Sequence, residues 1–244
     1  MLLAIDIGNT RIKAAVFEHN SILEHFSFLS DELEIQLNSI VIKYPRCKDI
    51  VVANVGNYTK EAFQQMITSL DCHFITRQWS FPFNNKYLTP ETLGIDRMVL
   101  ASGAVLSYPK QNRLVIDAGT CITYDFVDCN DNYLGGAISP GIRLRYEALH
   151  QKTAKLPKLE LKYPDYFIGN STNEAIHVGV IQGLLHEIDG FIAQYQVENA
   201  NITIILTGGD AVFLAKRLKN TIFANSNFLL ESLYKTFQYQ INND

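Results

Sequence analysis

Cysteine is scarce and scattered: Cys47, Cys72, Cys121 and Cys129 stand singly among 244 residues. There is no C-x-x-C pair, and His19, His25, His73, His150, His177 and His186 keep no ligand-like spacing, so a zinc site is not expected. Isolated thiols suit a reducing compartment. A basic excess is also missing. Twenty-one Lys and Arg against 25 Asp and Glu leave a formal charge of −4, which gives no general positive field for nucleic acid. No apolar run reaches the roughly 20 residues of a membrane helix, and the N-terminus lacks the basic region and cleavage site of a secretory signal. A soluble, cytoplasmic chain with no nucleic-acid or membrane partner is expected. Nor does any linker or low-complexity stretch divide it. What remains is 47% apolar and 19% charged, the composition of a globular chain able to bury one large core or two small ones.

The most informative stretch is the first, MLLAIDIGNTRIKAAVF. Leu2 to Ile7 reads as a buried strand, Gly8-Asn9-Thr10 as a tight turn, and the apolar pattern resumes at Ile12, Ala14, Val16 and Phe17. Asp6 then lies at the end of a buried strand, where a carboxylate is costly without a cation, a hydrogen-bond network or a charged ligand. Gly8 lets backbone approach a ligand, and Asn9, Thr10 and Lys13 add polar groups and a positive charge. An Asp able to hold hydrated magnesium beside such a turn is a phosphate-binding arrangement. It is equally an ordinary polar turn.

Further along, Ile22 to Leu29 can pair as a third strand, Ser30-Asp31 offers a helix cap, and Leu33, Leu37, Ile40 and Val41 share a helical face that ends at Pro45. Asp49 to Val55 is an apolar strand entering a Gly56-Asn57 turn. Ala62 to Leu70 is amphipathic, and His73 to Thr76 reads as an edge strand. Thr89-Pro90-Glu91 signals a helix running to about Tyr108. Then the opening theme returns: strand Arg113 to Ile116, turn Asp117-Ala118-Gly119-Thr120, strand Cys121 to Val127, strand Tyr133 to Ile138. Helices follow at Pro140 to Gln151 and Thr172 to Gln196. A strand at Ile202 to Leu206 leads through Thr207-Gly208-Gly209-Asp210 into a helix from Ala211 to Leu218, and Phe228 to Tyr239 closes the chain. A repeated functional turn argues for two similar subdomains, 1–110 and 111–244, facing one another across a cleft.

Each of the turns DIGNT, DAGT and TGGD is weak alone. In this order, after three apolar strands, they resemble the superfamily of sugar kinases, acetate kinases, actin and chaperone ATPases. That resemblance implies an α/β fold of two related ribonuclease-H-like lobes, mixed sheets flanked by helices, with ATP in the cleft between them. The first turn would take terminal phosphate and magnesium, the second an opposing phosphate or cation, and the third the adenosine end.

Two further sets narrow the family. Asn85-x-Tyr87-x-x-Pro90-x-x-Leu93-Gly94-x-Asp96-Arg97 resembles the substrate motif of type III pantothenate kinases. Gly135-Gly136-Ala137-Ile138-x-Pro140-Gly141, continuing to Ala148-Leu149, Thr153-Ala154 and Leu156-Pro157, is similar to the same family, as is Ser171-Thr172-x-Glu174-Ala175-Ile176 with Gly179 and Gly183. The matches span Leu3 to Asp210. The chain departs from the pattern at Ala53-Asn54-Val55-Gly56-Asn57, where a small-residue run ending Val-Pro is expected.

The resemblance implies phosphorylation of pantothenate by ATP, with potassium or ammonium as monovalent cation, in a homodimer. It assigns Asp6, Ile7, Gly8, Asn9, Thr10, Arg11, Ile12, Lys13 and Thr120 to ATP, with Asp6 also holding magnesium through water. It assigns Asp117 to the monovalent cation, Asp96 to the catalytic base, and Tyr87, Gly94, Ile95, Asp96, Arg97 and Thr172 to pantothenate. Several of these residues have a plainer reading. Asp96 beside Arg97 is usually a paired surface carboxylate at a helix start. Tyr87 could plug a loop, Asp117 could be a hydrogen-bonded turn carboxylate, and Thr172 could be a helix cap. Two rival functions stand beside the kinase: a superfamily kinase for another small alcohol or carboxylate, and a non-catalytic relative acting as a regulatory accessory. Retention of Asp6, Asp96, Arg97 and Asp117 argues against the second.

Overall fold

Strand β1 (Leu2–Ile7) is buried at every residue, because the run LLAIDI presents apolar side chains to both faces of its sheet. It pairs antiparallel with β2 (Ile12–Glu18) and parallel with β4 (Asp49–Asn54). Strand β3 (Ser21–Phe28) alternates exposed and half-buried residues, as an edge should, and β5 (Asp71–Phe74) closes the other side. The order is β3-β2-β1-β4-β5. Helices α1 (Leu33–Lys43) and α2 (Lys60–Met66) cover one face, where Leu37, Ile40 and Phe63 join Leu3, Ile5 and Ile7 in a continuous core. The structure, a computed structural model, describes residues 1–8, 10–54, 58–199, 201–220 and 222–243. Asn9 and the expected Val55 strand end with its Gly56-Asn57 turn lie outside the described residues.

The helix expected from Thr89 begins later. Pro90–Thr92 is a separate 3-10 turn, and α3 spans Ile95–Ser107, after the two-residue strand β6 (Asn84–Asn85). Leu93 and Gly94 are extended between turn and helix. The Arg77 guanidinium takes the carbonyls of Pro90 (3.3 Å) and Leu93 (2.7 Å), and the Thr92 hydroxyl bonds back to Thr89 O (2.9 Å). Those carbonyls are spent locally rather than on a helical ladder.

The second unit repeats the first. Strand β7 (Asn112–Ala118) pairs antiparallel with β8 (Cys121–Val127), which neighbours β9 (Asn132–Pro140). Helices α4 (Ile142–Gln151), α5 (Thr172–His177) and α6 (Gly183–Glu198) precede β10 (Ile202–Thr207), α7 (Ala211–Ala215) and the short β11 (Phe223–Ala224). The order β11-β10-β7-β8-β9 mirrors that of the first unit, and β6 pairs with Asn132 and Tyr133 at the start of β9. The single helix expected over Thr172 to Gln196 carries a π-helical insertion at Val178–Gln182. Among the described residues no helix is long and apolar enough to cross a membrane.

Two compact units result: Met1–Lys110 with Asn130–Leu134 and the chain from Asn227, and Gln111–Cys129 with Gly135–Ser226. Helix α8 (Phe228–Asn243) therefore belongs with the first, where it packs on α3 through small residues. Thr236 donates to Ser102 Oγ at 2.8 Å, and a Cβ added to Gly103 would lie 1.8 Å from Ser232 Oγ. Ser232 is fully buried. Ser232→Leu should overpack this crossing and cost about 1–3 kcal/mol in urea unfolding, whereas unchanged stability would contradict so close an approach.

Candidate active site

Two carboxylates occupy the same place in the two sheets. Asp6 is the penultimate residue of β1, and Asp117 that of β7. Each central strand has a hairpin neighbour on one side and a parallel neighbour on the other. Residues directly opposite in a sheet point to one face, with Cβ atoms about 4.5–5.5 Å apart, so the register gives each carboxylate its flanking side chains.

In the first unit that rung is Lys13–Asp6–Ala53. Asp6 is 7% exposed, and the register sets Lys13 directly across the ladder from it. Gly8 and the exposed Thr10 follow at the end of the strand. The other residues assigned to this turn are differently disposed. Ile7 and Ile12 point into the hydrophobic core, so only their backbone faces outward chemistry. The Arg11 guanidinium is engaged on β3, donating to Ser27 Oγ at 2.9 Å and Ser27 O at 3.0 Å.

The matching rung of the second unit is Thr123–Asp117–Thr207. Here a half-buried carboxylate has hydroxyls on both sides. Thr123 Oγ1 and Thr207 Oγ1 are both buried without a hydrogen-bond partner. Beyond Thr207, Gly208 adopts φ +96°, and a Cβ there would lie 2.4 Å from both Asp117 Oδ1 and Ala118 O. Asp210 N donates to Ala118 O at 3.0 Å. The DAGT and TGGD turns are thus packed against each other, and carboxylate, carbonyl and hydroxyl oxygens gather at one strand edge. Hard oxygen donors of this kind suit an alkali-metal or ammonium ion. Among the described residues there is no group of three or more His, Cys, Asp or Glu side chains that could hold a metal. Thr120 is exposed, and its carbonyl accepts from Gly141 N at 3.0 Å.

The remaining assigned residues lie along α3 and α5. Asp96 sits in the first turn of α3, half-buried, where its Oδ1 accepts from Arg97 N at 2.9 Å. The carboxylate leans over Gly94, since a Cβ on that residue would lie 2.3 Å from Oδ1. Ile95, half-buried, opens the helix. The Arg97 guanidinium carbon lies 5.7 Å from the centre of the Tyr87 ring, a cation–π contact that brings the two ends of this motif together. Tyr87 is oriented by its own N–H, which donates to Asn85 Oδ1 at 2.9 Å, and its ring lies 6.1 Å from that of Tyr133.

Thr172 is not the cap of α5. Ser171 fills that role, accepting from Glu174 N at 3.3 Å, so Thr172 is the first helical residue and is exposed. The helix is anchored at its other end by Tyr146 OH and His177 Nδ1, 2.8 Å apart. Burial, then the Lys162 charge, holds the His177 imidazole below its ordinary pKa.

Residues 2–194 match the family of type III pantothenate kinases. A type III pantothenate kinase from Flavobacterium johnsoniae is 64% identical over 244 residues, covering 100% of both chains. The chain belongs to the type III pantothenate kinase family.

Membership in this kinase family implies use of ATP. Solved structures agree on the fold. A Campylobacter jejuni protein assigned to the Baf family of transcriptional activators gives a TM-score of 0.67 at 23% identity, covering 98% of this chain and 99% of that one. A ROK family protein from Streptococcus pneumoniae, in complex with sucrose, gives 0.50 at 14% identity, covering 100% and 99%. At these identities the likeness concerns the fold alone.

Sequence reasoning missed three groups around the assigned residues. Arg77 carries no motif, being a lone loop cation. Thr123 and Thr207 are ordinary strand residues until the register sets them beside Asp117. One signal was present: Thr207 opens the TGGD turn. In buffer free of potassium and ammonium, Thr207→Val should leave stability unchanged or raise it by up to about 1–3 kcal/mol, because it deletes an unsatisfied buried hydroxyl without changing shape. A clear loss of stability in urea unfolding would mean that this hydroxyl is already satisfied within the protein.

Proposed function

We propose that the chain transfers the γ-phosphoryl group of ATP to the terminal hydroxyl of pantothenate, giving 4'-phosphopantothenate, the first step toward coenzyme A. Family membership supports the reaction. The observation that carries the residue assignment is the start of α3, where a half-buried carboxylate is held by backbone beside an aromatic–guanidinium pair.

Phosphoryl transfer needs in-line positioning, charge neutralisation and a base more than covalent help. In this reading Asp96 is the base. The bond from Arg97 N fixes one carboxylate oxygen and so sets the direction of the other toward the substrate hydroxyl. Arg97 receives the pantothenate carboxylate in a charge-assisted contact, and the Tyr87 ring holds the guanidinium in place. Gly94 admits the carboxylate without a Cβ in its path, while Ile95 and Thr172 complete the substrate contacts.

The turn after β1 contacts the phosphates. Lys13 and Thr10 contribute side chains, and Ile7, Gly8 and Ile12 contribute backbone; Asn9 and Arg11 share the same run. Asp6 would hold hydrated magnesium, which would supply charge neutralisation at the phosphates. In the second unit Thr120 contacts ATP and Asp117 holds potassium or ammonium. The orphaned Thr207 hydroxyl and the oxygens around Gly208 support a cation at that edge. A cytoplasmic homodimer is the working form.

Coupled ADP release with pantothenate and MgATP tests this directly. Asp96→Asn should lower kcat by about 10²- to 10⁴-fold, the usual worth of a positioned base, with KM for ATP little changed. Turnover undiminished by that substitution would remove Asp96 from the base role. Replacing potassium by sodium should reduce the rate, and indifference to the exchange would count against the cation role of Asp117.

A further inference from the structure

Outside the assigned residues, a polar cluster in the second unit centres on Glu187 of α6. Its Oε1 accepts from Ser139 Oγ at 2.6 Å and Tyr124 OH at 3.1 Å, and its Oε2 accepts from Arg145 Nη2 at 2.5 Å. Arg145 also donates through Nε to Pro140 O at 2.8 Å. One carboxylate therefore ties together β8, the end of β9, α4 and α6. Its side chain is only 25% exposed, and that of Arg145 20%. Burial pushes the Glu187 carboxyl up, but the bonds from Ser139 and Arg145, the Arg145 charge and the Tyr124 hydroxyl outweigh it and leave a net downward shift. The same surroundings raise the Tyr124 phenol, through burial first and the Glu187 charge second. This cluster stays a charged, hydrogen-bonded unit at neutral pH.

What the cluster holds is the segment Ser139-Pro140-Gly141. Gly141 N donates to Thr120 O, and Gly141 lies so close to the DAGT turn that a Cβ there would meet Gly119 O at 2.1 Å and Thr120 O at 2.6 Å. Helix α4 starts at Ile142 instead of Pro140 because Pro140 is still the last residue of β9 and Gly141 is the extended N-cap residue, its otherwise orphaned N–H taken by the turn. The end of β9 is pinned from behind by Glu187 and Arg145, and it presses on the two carbonyls that shape the turn carrying Thr120.

We infer that Glu187, acting through Arg145 and the Ser139–Gly141 segment, is a positioning residue for ATP, setting the DAGT turn so that Thr120 is preorganised before the nucleotide arrives. This rests on the reading of Thr120 as an ATP contact. Preorganisation of a contact lowers the cost of ordering it on binding, so its loss should appear in KM for ATP and not in KM for pantothenate.

Glu187→Gln is the sharpest probe. It keeps the shape but removes the charge: the bond from Arg145 is no longer to a carboxylate, and an NH2 on the other side makes the Ser139 and Tyr124 hydroxyls turn from donating to accepting, so both arms of the clamp weaken. The experiment is a double-mutant cycle of Glu187→Gln and Thr120→Ala, reading KM for ATP, KM for pantothenate and kcat, with thermal unfolding recorded for each variant. Glu187→Gln should raise KM for ATP about tenfold, the worth of a charge-assisted hydrogen bond, with KM for pantothenate unmoved. The double variant should be no worse than Thr120→Ala alone, because both changes act on one contact. Additive effects, equal rises in both KM values, or a lowered Tm with both KM values unchanged would each overturn the positioning role. An unaltered KM for ATP in Thr120→Ala would instead remove Thr120 from the ATP site. Arg145→Lys, which keeps the charge but loses the bond from Nε to Pro140 O, should fall between wild type and Glu187→Gln; behaviour like wild type would show that Pro140 is not gripped through Arg145.

Discussion

A carboxylate at the end of a buried central strand is the constraint around which this protein is built. An isolated charge taken out of water costs far more than a single contact returns, so each such group must be answered by neighbours or by a ligand. Both units place one there, at the penultimate residue of a strand flanked by an antiparallel hairpin and a parallel strand. The answers differ. Asp6 faces a lysine across the ladder, while Asp117 lies between two threonines whose hydroxyls have no hydrogen-bond partner. The first rung carries its own positive charge. The second sets a carboxylate between two hydroxyls, the row of oxygens on which the proposed cation site rests.

The shared topology makes this division possible. A parallel neighbour on one side leaves the carboxyl end of the central strand beside a strand-to-helix turn, and the hairpin on the other side places a tight turn next to it. In the second unit three chain segments meet at this edge: Ala118 O accepts from Asp210 N, Gly208 closes over Asp117, and Gly141 bonds Thr120 O. Glycines at 141 and 208 are required because backbone occupies the space a side chain would need. The Glu187 cluster lies behind this edge, bonded to Ser139 directly and to Pro140 O through Arg145.

Much of this was legible in the sequence. The apolar strands, the repeated Asp-x-Gly turn and the Gly94–Arg97 run at the start of α3 are local patterns, and local patterns survive into structure. What was hidden depends on distant pairing. The threonines at 123 and 207 look like ordinary β-formers until the register sets them beside Asp117. Arg77 is an unremarked loop residue until its guanidinium takes the carbonyls of Pro90 and Leu93, which is also why the helix expected from Thr89 starts at Ile95. The cap of α5 was shifted by one residue because adjacent Ser171 and Thr172 offer the same chemistry, and only geometry chooses between them. The π-helical insertion at Val178–Gln182 has no periodic signature short enough to read.

The division of labour between the two rungs is tested most directly by potassium titrations of thermal stability in Asp6→Asn and Asp117→Asn, with sodium as the control. The expected result is that Asp6→Asn keeps a potassium-dependent rise in Tm and Asp117→Asn loses it. Loss of the potassium response in Asp6→Asn with its retention in Asp117→Asn, or the same response in both, would contradict the assignment of the cation to the hydroxyl-flanked carboxylate.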